Sequence, residues 1–222
     1  MTRLAIALPL LIVAGCKPPE IPMLIQPDPQ PLFDQTVQLL RAKRPAEAMA
    51  PLKQAIAMTD KMRGEKRINA LSRSGQLLWS LQDRPVAEKT LLIAAKEIDS
   101  APGSVMPATA GMTFRMLGIV YRDLNRPADA IPWLERAITA DRSLPEASPQ
   151  ERGMKQMALA SNIQELASQQ CRAGHGPLSE ETDKQRLQVC SAMRNPNSVG
   201  ACIQTPRACT RGGWMQGEKK VW

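Results

Sequence analysis

Aromatic residues are almost missing from this chain: two Phe and one Tyr in 222 residues, with aromatics at 3% overall. Long β-branched runs are absent too, so the surfaces from which sheets are usually packed cannot be assembled. Few rings are available for bases to stack on, and Lys and Arg are spread along the chain rather than bunched. The net charge of +8 therefore fits a solvated surface, an anionic lipid or an acidic partner protein, and argues against nucleic acid. Histidine occurs once, as His175 in "RAGHGPL", with no Ser or Cys nucleophile close by. No H-E-x-x-H, P-loop, G-x-G-x-x-G or G-x-S-x-G is present, which leaves catalysis without a seat. The chain reads as a non-enzyme. What it does have is Ala, Leu, Gln and twelve Met, a helix-forming composition.

The opening "MTRLAIALPLLIVAGC" combines an early Arg, an apolar run from Leu4 to Val13 and small residues before a cysteine. That run is too short for a permanent membrane span and suits a secretory signal. Val13-Ala14-Gly15-Cys16 resembles the lipobox of bacterial lipoproteins. The resemblance implies a signal peptide over 1–15, cleavage after Gly15, and a diacylglycerol and an N-acyl chain on Cys16. Lys17 rather than Asp follows, which in enteric lipoproteins sorts to the outer membrane, facing the periplasm. Residues 16–31 carry prolines at 18, 19, 22, 27, 29 and 31, the composition of an extended tether. The patch Met23-Leu24-Ile25 within it is placed to dock on a partner or on the folded part, and composition does not choose.

Three segments echo one another: "AKRPAEAMAPLKQAI" at 42–56, "LQDRPVAEKTLLIAA" at 81–95 and "LNRPADAIPWLERAI" at 124–138. In 111–144, Phe114, Leu117, Gly118 and Tyr121, then Ala130, Leu134 and Ala137, fall at helical spacing on either side of a break at 124–127. Asn125 suits a left-handed helix end and Pro127 a first helical turn. Gly118 and Ala130 are small where two antiparallel helices would cross. This pattern resembles the tetratricopeptide repeat, with Arg142 where that family closes on proline. The likeness is intermediate in 68–101 (Gly75, Leu78, Ala87, Leu91, Ala94). It is weaker in 29–62, where Ala48, Leu52 and Ala55 persist but Gln35-Thr36 replaces Leu-Gly. Judged from Pro45, Pro85 and Pro127, units recur every 40 to 42 residues, the surplus falling in "TDKMRGEK" and "DSAPGSVMPATA". Pro51 and Pro132 should bend their helices gently.

The expected fold is thus all-α, a helical-hairpin solenoid over 32–171. Its last helix, in 145–171, would cap the open end with Met154, Met157, Ala158 and Leu166. Met112 and Met116 stand at core spacing as well, so packing rather than copper accounts for the methionines. A Cys-containing basic segment, 172–222, follows, with a short helix begun by Ser179. Cys171, Cys190, Cys202 and Cys209 read as two disulfides in an exported protein, spaced too widely for zinc. If 151–171 and 179–193 form a hairpin, Cys171 and Cys190 lie about 16 Å apart along it. Each then pairs with Cys202 or Cys209.

In the repeat family the concave face, lined by the first helix of each hairpin, holds an extended peptide or a partner helix. Carried over, that groove comprises Asn69, Ser72, Gln76 and Trp79 with Met112, Arg115, Ile119 and Arg122. Arg115 and Arg122 would either fork onto a partner carboxylate or pair with neighbouring acids. Two roles follow: an outer-membrane scaffold for a pilus, secretion or conjugation machine, or an adaptor recruiting peptidoglycan-remodelling enzymes. A redox or metal chaperone using the C-terminal cysteines is the third.

Overall fold

The computed structural model describes residues 27–146, 148–193, 199–200 and 202–203. Cys16, the tether as far as Gln26, and Cys209 lie outside these. Among the described residues there are eight helices of substantial length and no strand: α1 (Gln30–Arg41), α2 (Pro45–Thr59), α3 (Gly64–Ser80), α4 (Arg84–Ser100), α5 (Pro107–Asp123), α6 (Pro127–Arg142), α7 (Pro149–Arg172) and α8 (Gly176–Ser191). They form a TPR-like stack of antiparallel hairpins. α1 starts at Gln30, so Pro29 and Pro31 open a helix rather than extend the tether; proline is tolerated there because a first-turn N–H has no partner to lose.

Each hairpin turns by the same device. Lys43, Gln82 and Asn125 have positive φ (57°, 65° and 57°), and Gly174 has φ of 87°. Each stands two residues before the next helix begins, where a left-handed residue ends one helix and reverses the chain. The recurring Arg-Pro then opens the second helix, Pro45 and Pro127 at its first position and Pro85 at its second. Arg44 and Arg126 also reach forward to Glu47 and Asp129, at 2.5 and 2.6 Å. α2 and α6 run on through Pro51 and Pro132. The lengthened connections are shorter than the sequence suggests, 60–63 and 101–106, because "GEK" and "PATA" belong to α3 and α5.

Inside each hairpin a leucine fills a hole left by glycine. A Cβ on Gly75 would stand 2.4 Å from Leu91 Cγ, and one on Gly118 2.6 Å from Leu134 Cδ2. In the first hairpin Thr36 takes the glycine's position, fully buried, its hydroxyl donating to the Leu32 carbonyl at 2.8 Å. Ala48, Ala87 and Ala130 are wholly buried, as are Leu52, Leu91 and Leu134. Full burial of one leucine stabilises by about 1.5–3 kcal/mol.

Three sequence expectations need correcting here. α7 does more than cap the stack: it pairs with α8 as a fourth hairpin. Its buried stripe is Ala160, Ile163, Leu166 and Ala167. Met154 and Met157 are exposed, 57% each, and Ala158 is half-buried. Met112 is 40% exposed, so of the four methionines assigned to packing only Met116 is buried. Asn162, Gln169 and Gln170 lie buried among the apolar residues of α7 and mask its periodicity in sequence. α8 begins at Gly176, three residues before Ser179. The Ser179 hydroxyl caps nothing; it is buried and donates to the Ala167 carbonyl at 2.7 Å.

In that fourth hairpin, Ser179, Asp183 and Arg186 occupy the places held by Ala, Leu and Ala in the other three. Arg186 is 1% exposed. Its Nε donates to Asp183 Oδ1 at 2.7 Å and its Nη1 to the Cys202 carbonyl at 2.5 Å. Nη2 has no partner. Cys202 is held there by a disulfide to Cys190, one of the two pairings expected for Cys190. Cys171 is disulfide-bonded as well.

Candidate functional site

The first helices of the hairpins, α1, α3, α5 and α7, form one layer, and polar contacts fix how they align. Glu65 Oε1 accepts from the Met106 amide at 2.9 Å, Thr109 Oγ1 donates to Asn69 Oδ1 at 2.8 Å, and the Ser72 and Thr113 hydroxyls share a bond of 2.6 Å. Further along, Trp79 Nε1 donates to Asp123 Oδ2 at 2.7 Å. The sequence offset stays between 40 and 44 across these pairs, so α3 and α5 run parallel. α5 and α7 do the same through Arg115–Ser161 and Arg122–Glu165, both 3.3 Å, and Asn125–Arg172, 2.9 Å.

These seams sort the eight expected groove residues. Ser72 is buried between α3 and α5 and is not on an open face. Trp79 is half-buried and committed to Asp123. Ile119 is half-buried against the core. Of the two roles open to the arginines, Arg122 takes the internal one, bonding Asp123 at 2.8 Å and Glu165; Arg115 donates to Ser161. Asn69, although it accepts from Thr109 across the same seam, lines one cleft of about 630 Å³ together with Gln76 and Met112.

Phe33, Met62 and Ala70 also line that cleft, with Lys66 and Arg73 on α3 and the chain at 27–30. The sequence carried a signal for this that the repeat offsets missed. Lys66, Asn69, Arg73 and Gln76 follow i, i+3, i+7, i+10 spacing, one helical stripe. The stripe expected from family offsets, 69/72/76/79, is the same face rotated toward the α5 seam. Arg73 lies 5.6 Å above the Phe33 ring and 3.4 Å from Asp34, which pins α1 to α3 beside the opening.

Two carboxylates at the seams are perturbed in opposite directions. For Asp123, burial disfavours the charge, but bonds from Arg122 and Trp79 and the charges of Arg122 and Arg84 outweigh it, holding its pKa below the usual range. Its stabilisation is present above the ordinary carboxylate pKa and is lost as pH falls through the depressed one. For Asp141, burial dominates over the Asn162 bond and the charges of Arg115 and Lys155, and its pKa is raised. Its ionised form is therefore a burden at neutral pH. Asn162 Nδ2 donates to Asp141 Oδ2 at 2.7 Å, while Asn162 Oδ1 is buried with no donor among the described residues. Asp141→Asn would supply that donor and remove the buried charge. It is expected to stabilise by about 1 kcal/mol at pH 7, a gain that fades below about pH 4, where Asp itself is protonated in both states. Urea midpoints measured across pH check this; an unchanged or lowered midpoint at pH 7 refutes it.

Among the described residues, no group of three or more His, Cys, Asp or Glu is placed to hold a metal ion, and no helix is long and apolar enough to cross a membrane. His175 is exposed at the start of α8. No protein-family model and no curated protein matches the chain. Among solved structures, nearly identical TPR-like repeats from a Podosopora anserina kinesin light chain align with a TM-score of 0.46 at 14% identity, over 76% of this chain and 99% of that one. A point variant of those repeats gives 0.44 at 14% identity, over 73% and 94%. These are likenesses of helical arrangement alone.

Proposed function

We propose that this chain is a lipid-anchored, non-enzymatic scaffold. It holds protein partners on its concave face, at the periplasmic side of a bacterial outer membrane, and serves in the assembly or structure of an envelope machine such as a pilus, secretion or conjugation system. The observation that carries the binding half is the cleft beside α3, where Phe33, Met62 and Met112 meet Lys66, Asn69 and Gln76. An apolar floor with a few polar groups at its edge is the usual make-up of a recognition site. A parallel layer of helices supports it, held by bonds that partner binding need not break. The anchoring half rests on Val13-Ala14-Gly15-Cys16. Acyl chains there would contribute about 0.8 kcal/mol per buried methylene, so that more than one chain gives stable attachment.

Each half has its own test. Metabolic labelling with a palmitate analogue should tag the wild-type protein and leave Cys16→Ser untagged and released from the membrane fraction; a wild-type Cys16 without acyl mass overturns the anchor. For the scaffold, partners recovered from crosslinked envelopes should fall about tenfold, the effect of 1.4 kcal/mol, with Gln76→Glu/Met112→Glu. Both positions are exposed, so the fold should survive. Equal recovery discards the groove.

A further inference from the structure

We infer that the Cys190–Cys202 bond is a thiol–disulfide exchange site, and that its reduction by a dithiol releases α8 from the stack through the buried Arg186. The fourth hairpin is built differently from the other three. Where those lock together with Leu52, Leu91 and Leu134, all wholly buried, this one has Asp183 and Arg186. Arg186 has two acceptors among the described residues, Asp183 Oδ1 on its own helix and the Cys202 carbonyl from beyond it. Nη2 has none there. Stripping a buried guanidinium of a further acceptor is costly, so α8 holds its place only while residue 202 stays on it. Cys190 stands one turn after Arg186, at i+4 on the same face. The disulfide and the hydrogen bond therefore clasp Cys202 from adjacent turns. Apolar contacts lean on the same clasp, since Val199 and Cys202 pack against Ala160, Cys190 and Met193.

The two cysteines differ in access. Cys190 is wholly buried and Cys202 half-buried, so an incoming thiolate meets Cys202 first. Its attack forms a mixed disulfide on Cys202, and Cys190 leaves as a thiolate that takes up a proton. The second thiol of the dithiol then attacks its partner sulfur, closing an oxidised dithiol and leaving Cys202 as a thiol. In all, two electrons and two protons pass from the dithiol to the chain. The Cys202 carbonyl is then no longer tied to α8, and Arg186 loses one of its two acceptors. Opening stays local, because stacked repeats depend chiefly on their neighbours. α7 keeps its own bond to α6 through Asn162 and Asp141. Its side around Ala160 and Ala167, which α8 covers, comes into the open. Neither the cleft nor the lipid anchor enters this inference.

The test is amide exchange on the full chain, with Cys190→Ala/Cys202→Ala standing for the reduced state so that the Cys171 disulfide stays intact. Protection in α8 should fall at least about tenfold, while α3 and α5 change by less than about twofold. Placed on Asp183→Leu/Arg186→Met, the same two alanines should leave α8 unchanged within about twofold, since no buried guanidinium is then left short of an acceptor. An unchanged α8 in the first variant, an equal loss in both backgrounds, or a loss that spreads to α3 would overturn the inference. In a second arm the wild-type chain is treated briefly with glutathione, quenched in acid and mapped by mass spectrometry. The adduct should sit on Cys202; an adduct on Cys190 alone, or none, refutes the proposed exchange.

Discussion

Arg186→Met alone is expected to lower stability by about 3–5 kcal/mol, because it strands a buried carboxylate. Asp183 is 5% exposed, and its one ion pair among the described residues is with Arg186. The same guanidinium also holds the Cys202 carbonyl, so the substitution loosens both α8 and the short segment stapled to it. The opposite result is expected for Asp183→Leu/Arg186→Met. That pair removes both charges and restores, at position 183, the leucine that fills the first three hairpins at Leu52, Leu91 and Leu134. Replacing a buried ion pair with packed apolar groups is often neutral or stabilising by about 1–4 kcal/mol. It would also retire Arg186 Nη2, which is buried without a hydrogen-bond partner among the described residues. Stacked repeats need not unfold in one step, so the measurement is amide exchange in α8 beside urea denaturation. Equal losses in the single and double variants would mean that Arg186 serves by its bulk and not by its charge.

The second large effect lies at the crossing of α5 and α6. Leu134→Ala is expected to cost about 2–5 kcal/mol, as fully buried leucines do when a cavity is left. Gly118→Ala should cost about 1–3 kcal/mol, even though alanine favours helix by about 1 kcal/mol. Its Cβ would meet Leu134 Cδ2 at 2.6 Å and Cγ at 2.7 Å. The double variant should lose at least about 1 kcal/mol less than the sum, because the new methyl enters the space the leucine left. Thermal or urea melts of the four proteins give the coupling directly. Strict additivity would show that the helices part on mutation instead of refilling the crossing. Gly75 and Leu91 repeat the arrangement at 2.4 Å, so the coupling should reappear between α3 and α4.

The hairpins were legible because their signals are local. Asn125 and Pro127 mark a turn within three residues, and Ala130, Leu134 and Ala137 declare a buried stripe by spacing alone. The fourth hairpin was half hidden. Its second helix carries Ser179, Asp183 and Arg186 where the pattern expects apolar residues, and nothing local distinguishes a buried Asp–Arg pair from a solvated one. Met154 and Met157 failed in the other direction. Their spacing fits a stripe, but α7 is turned so that Ile163 and Ala167 face inward.

For the face that carries the cleft the division is finer. Asn69, Gln76 and Met112 line the cleft, whereas Ser72 and Trp79 turn into the seam with α5, and Arg122 is taken up by Asp123 and Glu165. By itself the amino-acid order determined where helices begin and end and which residues pack within a hairpin, since those choices are made by neighbours a few positions apart. Only the tertiary structure decided which side of α3 faces the cleft, which arginines have internal partners, and that α7 and α8 join the stack. Those outcomes turn on how each helix is rotated against others some forty residues away, and contacts at that range leave no period in the chain.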